Sequence, residues 1–256
     1  MQRRFWKELE EWKKQNENTP LMVVGARQIG KTYIIDKFCK ENYKDYIYIN
    51  LMDNEGIVEI FNEQINTEEK VKKMELYLGR LIQEDTVIFF DEIQESEKLI
   101  SALKYFCEAE FPYKIICAGS LLGVKLKRFQ SSFPVGKVII KYMYPMTFEE
   151  FLIAIGYEQV IEEIKKCFNE NKKMSNPIHE KLLNYYRLFI STGGMPMAIN
   201  DIIKNKLEIL KFDNNILKSI IDAYLADMKK YTLNYYETIK IEKVYKNIPS
   251  QLAKEN

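Results

Sequence analysis

Residues 21–32 read Leu21-Met22-Val23-Val24-Gly25-Ala26-Arg27-Gln28-Ile29-Gly30-Lys31-Thr32. The first four are apolar without alternation and stand between Pro20 and Gly25, the pattern of a short strand covered on both faces. The next eight match G-x-x-x-x-G-K-[ST] without deviation, and residues 31–41 carry a helical pattern. Glycines let a backbone turn tightly and approach an anion closely. The N–H groups of such a loop, with the N-terminus of the following helix, make a preorganised phosphate site. In that arrangement Lys31 reaches the β- and γ-phosphates of ATP and the Thr32 hydroxyl ligates Mg²⁺. The expected cradle is Gly25, Ala26, Arg27, Gln28, Ile29, Gly30, Lys31, Thr32 and Tyr33.

The strand–helix alternation continues outward from this loop. A helix is predicted over 1–15, with Phe5, Trp6, Leu9 and Trp12 on one stripe. Further apolar runs at 46–49, 87–90, 115–118 and 137–143 read as strands. One helical region over 56–84 carries Val71, Met74, Leu78 and Leu81, and another helix spans 97–109. Strands that are apolar throughout and alternate with helices predict an α/β fold. The sheet is expected to be five-stranded and mainly parallel, a three-layer sandwich with helices on both faces. Ligands of such sheets bind at the carboxyl ends of the strands.

After Pro145 no strand pattern follows, and Ile216, Leu217, Ile220, Ile221, Tyr224, Leu225 and Met228 mark a long amphipathic helix. The expected organisation is therefore an α/β domain over 1–150, a small helical domain over 151–232, and a tail or linker over 233–256. Ser191-Thr192-Gly193-Gly194-Met195-Pro196 reads as a sharp corner between two helices.

Two further motifs fall at strand ends. In Val87-Ile88-Phe89-Phe90-Asp91-Glu92, Asp91 is expected to hold Mg²⁺ and Glu92 to activate the attacking water as general base. Ser120 closes the run Cys117-Ala118-Gly119-Ser120, where a polar residue contacts the γ-phosphate or the lytic water in ATPases with an extra strand between the two motifs. Arg27, Arg128 and Arg187 are candidate sensors or fingers, and Arg128 is the first choice for a role in trans.

Composition excludes other classes. Lys and Arg total 38 against 37 Asp and Glu, so no global basic field steers the chain toward nucleic acid. Four scattered cysteines (Cys39, Cys107, Cys117, Cys167) form no C-x-x-C pair, which points to a reducing, cytoplasmic setting rather than a disulfide scaffold or zinc site. His179 is the only histidine, so no His-based metal centre is available. No run approaches the roughly 20 apolar residues of a membrane helix.

Taken together, these motifs resemble a group of prokaryotic AAA-superfamily (AAA/STAND-like) P-loop ATPases. The resemblance rests on the 25–32 loop, Phe90-Asp91-Glu92-Ile93-Gln94 and the turn Ala118-Gly119-Ser120-Leu121-Leu122-Gly123. It also rests on residues 133–138, Tyr144-Pro145-Met146-Thr147-Phe148-Glu149-Glu150-Phe151 and the Gly193-Gly194-Met195-Pro196 corner. It implies an AAA-like sheet with an extra strand between the Walker A and Walker B motifs, and Mg²⁺-dependent ATP hydrolysis coupled to domain rearrangement. A slow nucleotide-dependent switch or nucleic-acid-associated regulator is the alternative. Family members continue into a winged-helix module and a C-terminal domain of unknown function, so this chain is expected to be the N-terminal ATPase part. Met197 stands where an acidic side chain is expected in relatives. Expected partners are ATP and ADP, a second copy or another protein, and nucleic acid only through the further module; no membrane is expected.

Overall fold

The computed structural model describes residues 3–15, 18–108, 113–120, 136–229, 232 and 234–254. Five strands, β1 (Leu21–Val24), β2 (Tyr46–Asn50), β3 (Val87–Asp91), β4 (Lys114–Gly119) and β5 (Ile139–Tyr142), form one sheet in the order β2-β3-β4-β1-β5. Every neighbouring pair is parallel. The sequence between the loop and the acidic strand contributes β2, which lies at the sheet edge, whereas β4 stands in space between β1 and β3.

The two-residue period of a strand divides the core into two layers. Leu21 and Val23 of β1, Phe89 of β3 and Ile116 of β4 pack with α1 (Phe5–Lys13) and α2 (Lys31–Asn42). Met22, Val24, Phe90 and Cys117 face the other way, toward α3 (Glu55–Asn62), α4 (Thr67–Leu78) and α5 (Glu97–Glu108). Full burial of side chains such as Phe89 and Phe90 stabilises by about 1.5–3 kcal/mol each.

Three details depart from the sequence reading. The helical region predicted over 56–84 is two helices, divided at residues 63–66 where Asn66 caps the start of α4, and it ends early because Gly79 closes α4 in the left-handed region at φ 63°. Leu81 therefore falls beyond the helix and is 70% exposed. β2 is not covered on both faces: Ile47 and Ile49 are buried, but Tyr48 is exposed, as an edge strand with one open face allows. Ile221, expected on the apolar face of its helix, is also exposed.

Past β5, Thr147 and Glu150 form a reciprocal capping box at the start of α6 (Phe148–Ala154), followed by α7 (Gln159–Asn169). By contacts the chain forms two compact units, one of residues 1–179 with Gly194–Pro196 and one of Glu180–Gly193 with Met197–Asn256. The residues 151–179, assigned from sequence to the helical part, thus pack within the first unit. The second unit holds most of α8 (Asn176–Thr192) and α9 (Pro196–Lys204), a 3-10 turn at Ile209–Lys211, and the helices α10 (Asn214–Lys229) and α11 (Tyr235–Leu252). Here α11 occupies residues read from sequence as tail, with Lys229 of α10 3.6 Å from Glu242 of α11.

Candidate functional site

The 25–32 loop, Asp91-Glu92 and Ser120 converge at the carboxyl ends of the strands. β1 ends at Val24, in register with Gly119 of β4 and Tyr142 of β5, and Asp91 of β3 stands opposite Asn50 of β2. The parallel order therefore places the 25–32 loop, Asp91 and Ser120 side by side at the carboxyl ends of their strands.

The loop is shaped by close packing. A Cβ on Gly25 would lie 2.3 Å from the Met143 carbonyl oxygen and 2.6 Å from Ile29 Cδ1, so only glycine fits between β5 and the loop. Gly30 adopts φ 89° at the start of α2, and Gln28 also lies in the left-handed region at φ 62°. The first turn of α2 carries no acidic residue, which leaves the positive end of its dipole available to an anion. Ile29 is fully buried and anchors the loop from below, whereas Tyr33 on α2 is exposed.

Lys31 extends back over the loop and donates to the carbonyls of Gly25 (3.0 Å) and Ala26 (2.7 Å). Burial lowers its pKa below the ordinary lysine value, opposed by the nearby Glu92 and Asp91 carboxylates. The Thr32 hydroxyl donates to Asp91 Oδ2 at 2.7 Å, which joins the start of α2 to the end of β3. Burial raises the Asp91 pKa, partly offset by the Thr32 hydroxyl and the Glu92 N–H, which donates to Oδ1 at 3.0 Å. Glu92 sits at φ 53°, a left-handed turn that costs a non-glycine residue about 1–2 kcal/mol. Its Oε2 accepts from the Gln94 amide, whose side chain is buried.

Ser120 is buried at the end of β4, and its Oγ accepts from Arg27 Nε at 3.2 Å. The second arginine of interest, Arg128, lies outside the described residues. Arg187 belongs to the second unit, where it donates to Asn184 Oδ1 at 3.1 Å. Among the described residues no group of three His, Cys, Asp or Glu side chains forms a metal cluster. All four cysteines are free; burial raises the thiol pKa of Cys39 to about 12 and keeps that of Cys117 well above its ordinary value. Among the described residues no helix is long and apolar enough to cross a membrane.

One contributor was not read from the sequence, and a second was read chiefly as a helix corner. Tyr48 donates its hydroxyl to Asp91 Oδ2 at 3.2 Å, and burial together with the Asp91 charge pushes its own pKa up to about 12. Its signal was a polar tip recurring at every second residue of Tyr46-Ile47-Tyr48-Ile49, which reads equally well as an apolar run. The second is the corner at 193–196. Gly193 turns at φ 75°, and Gly194 approaches so closely that an added Cβ would meet the Met146 carbonyl oxygen at 2.3 Å. The Met146 N–H donates to the Gly194 carbonyl at 2.7 Å, and Pro196 Cγ comes within 3.9 Å of a Cβ position on Gly30. The corner predicted as a helix break is thus also a wall beside the loop.

An uncharacterized protein, MJ1544 of Methanocaldococcus jannaschii, is 28% identical over 205 residues, covering 80% of this chain. The chain spans only 39% of that relative's length. Among solved structures, a Walker-type ATPase of Pyrococcus abyssi superposes with a TM-score of 0.47 at 15% identity, covering 96% of this chain and 75% of the other. The Drosophila origin recognition complex bound to DNA gives 0.44 at 12% identity, with 85% and 63% covered. A family profile described as an AAA domain matches residues 17–152, from the residues before β1 into α6. With the P-loop, the acidic end of β3 and the β2-β3-β4-β1-β5 order all within that span, the chain belongs to the AAA-domain family of P-loop ATPases.

Proposed function

We propose that this site binds ATP with Mg²⁺ and hydrolyses it. The observation that carries the reading is the 2.7 Å hydrogen bond from Thr32 to Asp91, beside the Lys31 ammonium at the mouth of the loop. Two oxygen donors of this kind suit Mg²⁺, which takes few protein ligands and fills its remaining positions with phosphate oxygens and water. When bound, the ion neutralises charge on the phosphates.

The chain's own groups divide the remaining work. Loop N–H groups and Lys31 hold the phosphates, while Thr32 and the Asp91 carboxylate, directly or through water, would hold the metal. Glu92, oriented by Gln94, accepts the proton of the attacking water. Ser120 and Arg27, already hydrogen-bonded to each other, contact the terminal phosphate from the β4 side. Arg128 is proposed as a finger supplied to a neighbouring copy. The helical residues past the Gly194–Pro196 corner are proposed to respond to nucleotide, because that corner lies beside Gly30.

The test is nucleotide affinity by calorimetry together with ATP turnover. Wild type should bind Mg·ATP, and Lys31→Ala should bind roughly 30–150-fold more weakly, the loss of a charge-assisted contact of about 2–3 kcal/mol. Glu92→Gln should still bind while turnover falls at least roughly 100-fold. Turnover per subunit should rise with protein concentration and lose that rise in Arg128→Ala. Absence of nucleotide binding by wild type would sink the proposal.

A further inference from the structure

The Arg3 guanidinium is enclosed, with its side chain 8% exposed, and its donors reach three separate segments. Nε donates to Glu150 Oε1 at 3.1 Å, Nη1 to the Ile29 carbonyl at 2.9 Å, and Nη2 to the Tyr144 carbonyl at 2.6 Å. Glu150, 4% exposed, is itself fixed: Oε1 accepts the Arg4 N–H at 2.7 Å and Oε2 the Thr147 N–H at 2.8 Å. The planar five-donor fork of arginine meets such a divergent set of acceptors; a lysine ammonium on its flexible stem does not.

The Ile29 contact falls on the phosphate loop itself. The chain has no cis peptide among the described residues, and a trans peptide is planar with its C=O and N–H pointing in opposite directions. Holding the Ile29 carbonyl toward Arg3 therefore fixes the plane of the Ile29–Gly30 peptide and aims the Gly30 N–H away from Arg3. A neighbouring dihedral makes this plane worth fixing. Gly30, whose φ of 89° borders this plane, is a glycine, and a glycine can rotate its flanking peptide at little steric cost.

We infer that Arg3 is a positioning residue for the phosphate site: anchored by Glu150, it sets the orientation of the Ile29–Gly30 peptide so that the Gly30 N–H serves as a phosphate donor. The consequence for binding rests on the nucleotide reading above; the peptide orientation does not. Removing Arg3 leaves the loop sequence intact but lets that peptide reorient.

The chain contains two Ile-Gly pairs, Ile29-Gly30 and Ile155-Gly156. Labelling isoleucine carbonyls with ¹³C and glycine amides with ¹⁵N thus selects two NMR signals, one in the loop and one beyond α6 as an internal control. In Arg3→Met and Arg3→Lys, without nucleotide, the Gly30 signal should move or broaden while the Gly156 signal stays. In Glu150→Gln, which retains an acceptor oxygen for Arg3, the Gly30 signal should change much less. Mg·ATP affinity, measured at a temperature where every variant is folded, should fall about tenfold in both Arg3 variants and less than about threefold in Glu150→Gln. An unmoved Gly30 signal, or Arg3 variants that bind within twofold of wild type, overturns the inference. Should wild type itself fail to bind Mg·ATP, the nucleotide reading falls, and the Gly30 signal alone then decides whether Arg3 orients the loop.

Discussion

Replacing Gly25 by alanine tests whether the phosphate loop is fixed by packing as well as by its ligand. The added Cβ would sit 2.3 Å from the Met143 carbonyl oxygen and 2.6 Å from Ile29 Cδ1. Non-bonded carbon and oxygen require about 3.2 Å or more, so one side must yield by roughly 1 Å; the hydrogen-bonding range that the backbone tolerates is far narrower. The oxygen belongs to the backbone immediately after β5. The N–H of the same residue donates to the Val24 carbonyl at 2.8 Å, one link of the β1–β5 ladder. Loosening that buried bond costs about 1–3 kcal/mol, and overpacking against Ile29 adds about 1–3 kcal/mol. A total of about 2–6 kcal/mol corresponds to a fall in Tm of roughly 4–24 °C for a chain of this size. Thermal denaturation of the nucleotide-free protein, followed by circular dichroism, reads this directly. A Gly25→Ala variant melting within about 1 °C of wild type would refute the packing argument, whatever its effect on ATP.

Three further outcomes are expected. Tyr48→Phe keeps the ring, whose centroid lies 5.3 Å from that of Phe89, but removes the hydroxyl on Asp91; Tm should change little while the Mg²⁺ concentration needed for nucleotide binding rises several-fold. Ser120→Ala should preserve ATP affinity within about threefold and slow single-turnover hydrolysis by roughly 10–100-fold, and an unchanged rate would remove Ser120 from the reaction. Asp45 supplies the acid sensitivity of the β2 entrance. Burial there opposes ionisation, but Arg80 and Thr86, whose hydroxyl donates at 2.9 Å, outweigh it and hold the carboxyl below its ordinary value. The unfolded chain then binds more protons than the folded one between the lowered pKa and 3.8, so this contribution is complete above 3.8 and is lost as pH falls through that window. Asp45→Asn should accordingly show a shallower loss of denaturation midpoint below about pH 4 than wild type.

The legibility of the fold varied with how local its causes are. β1, β3 and β4 were readable because central parallel strands bury both faces and so become continuous apolar runs. β2 was readable as a strand but not as an edge. Its alternating Tyr and Ile pass for an apolar run until its place in the sheet leaves one face open. The break between α3 and α4 falls at residues 63–66, where Asn66 caps the start of α4, and the end of α4 falls at Gly79, whose closing role needs a left-handed conformation that spacing alone does not reveal. Arg3 and Glu150, 147 residues apart, are ordinary surface types in the sequence; only the fold encloses them together.

What the sequence by itself determined was the chemistry of single segments. A glycine-bracketed loop ending in Lys31-Thr32 and an apolar strand ending in Asp91-Glu92 are each specified by residues a few positions apart, and local sterics and hydrogen bonding act over that range. The tertiary structure decided their assembly. Inserting β4 between β1 and β3 brings Ser120 to the loop and within reach of Arg27. The close approach of Met143 requires Gly25 to be glycine, and the Arg3 fork fixes the Ile29 carbonyl. These arrangements depend on which distant segments share a layer, which is set by packing of the whole sheet rather than by any motif.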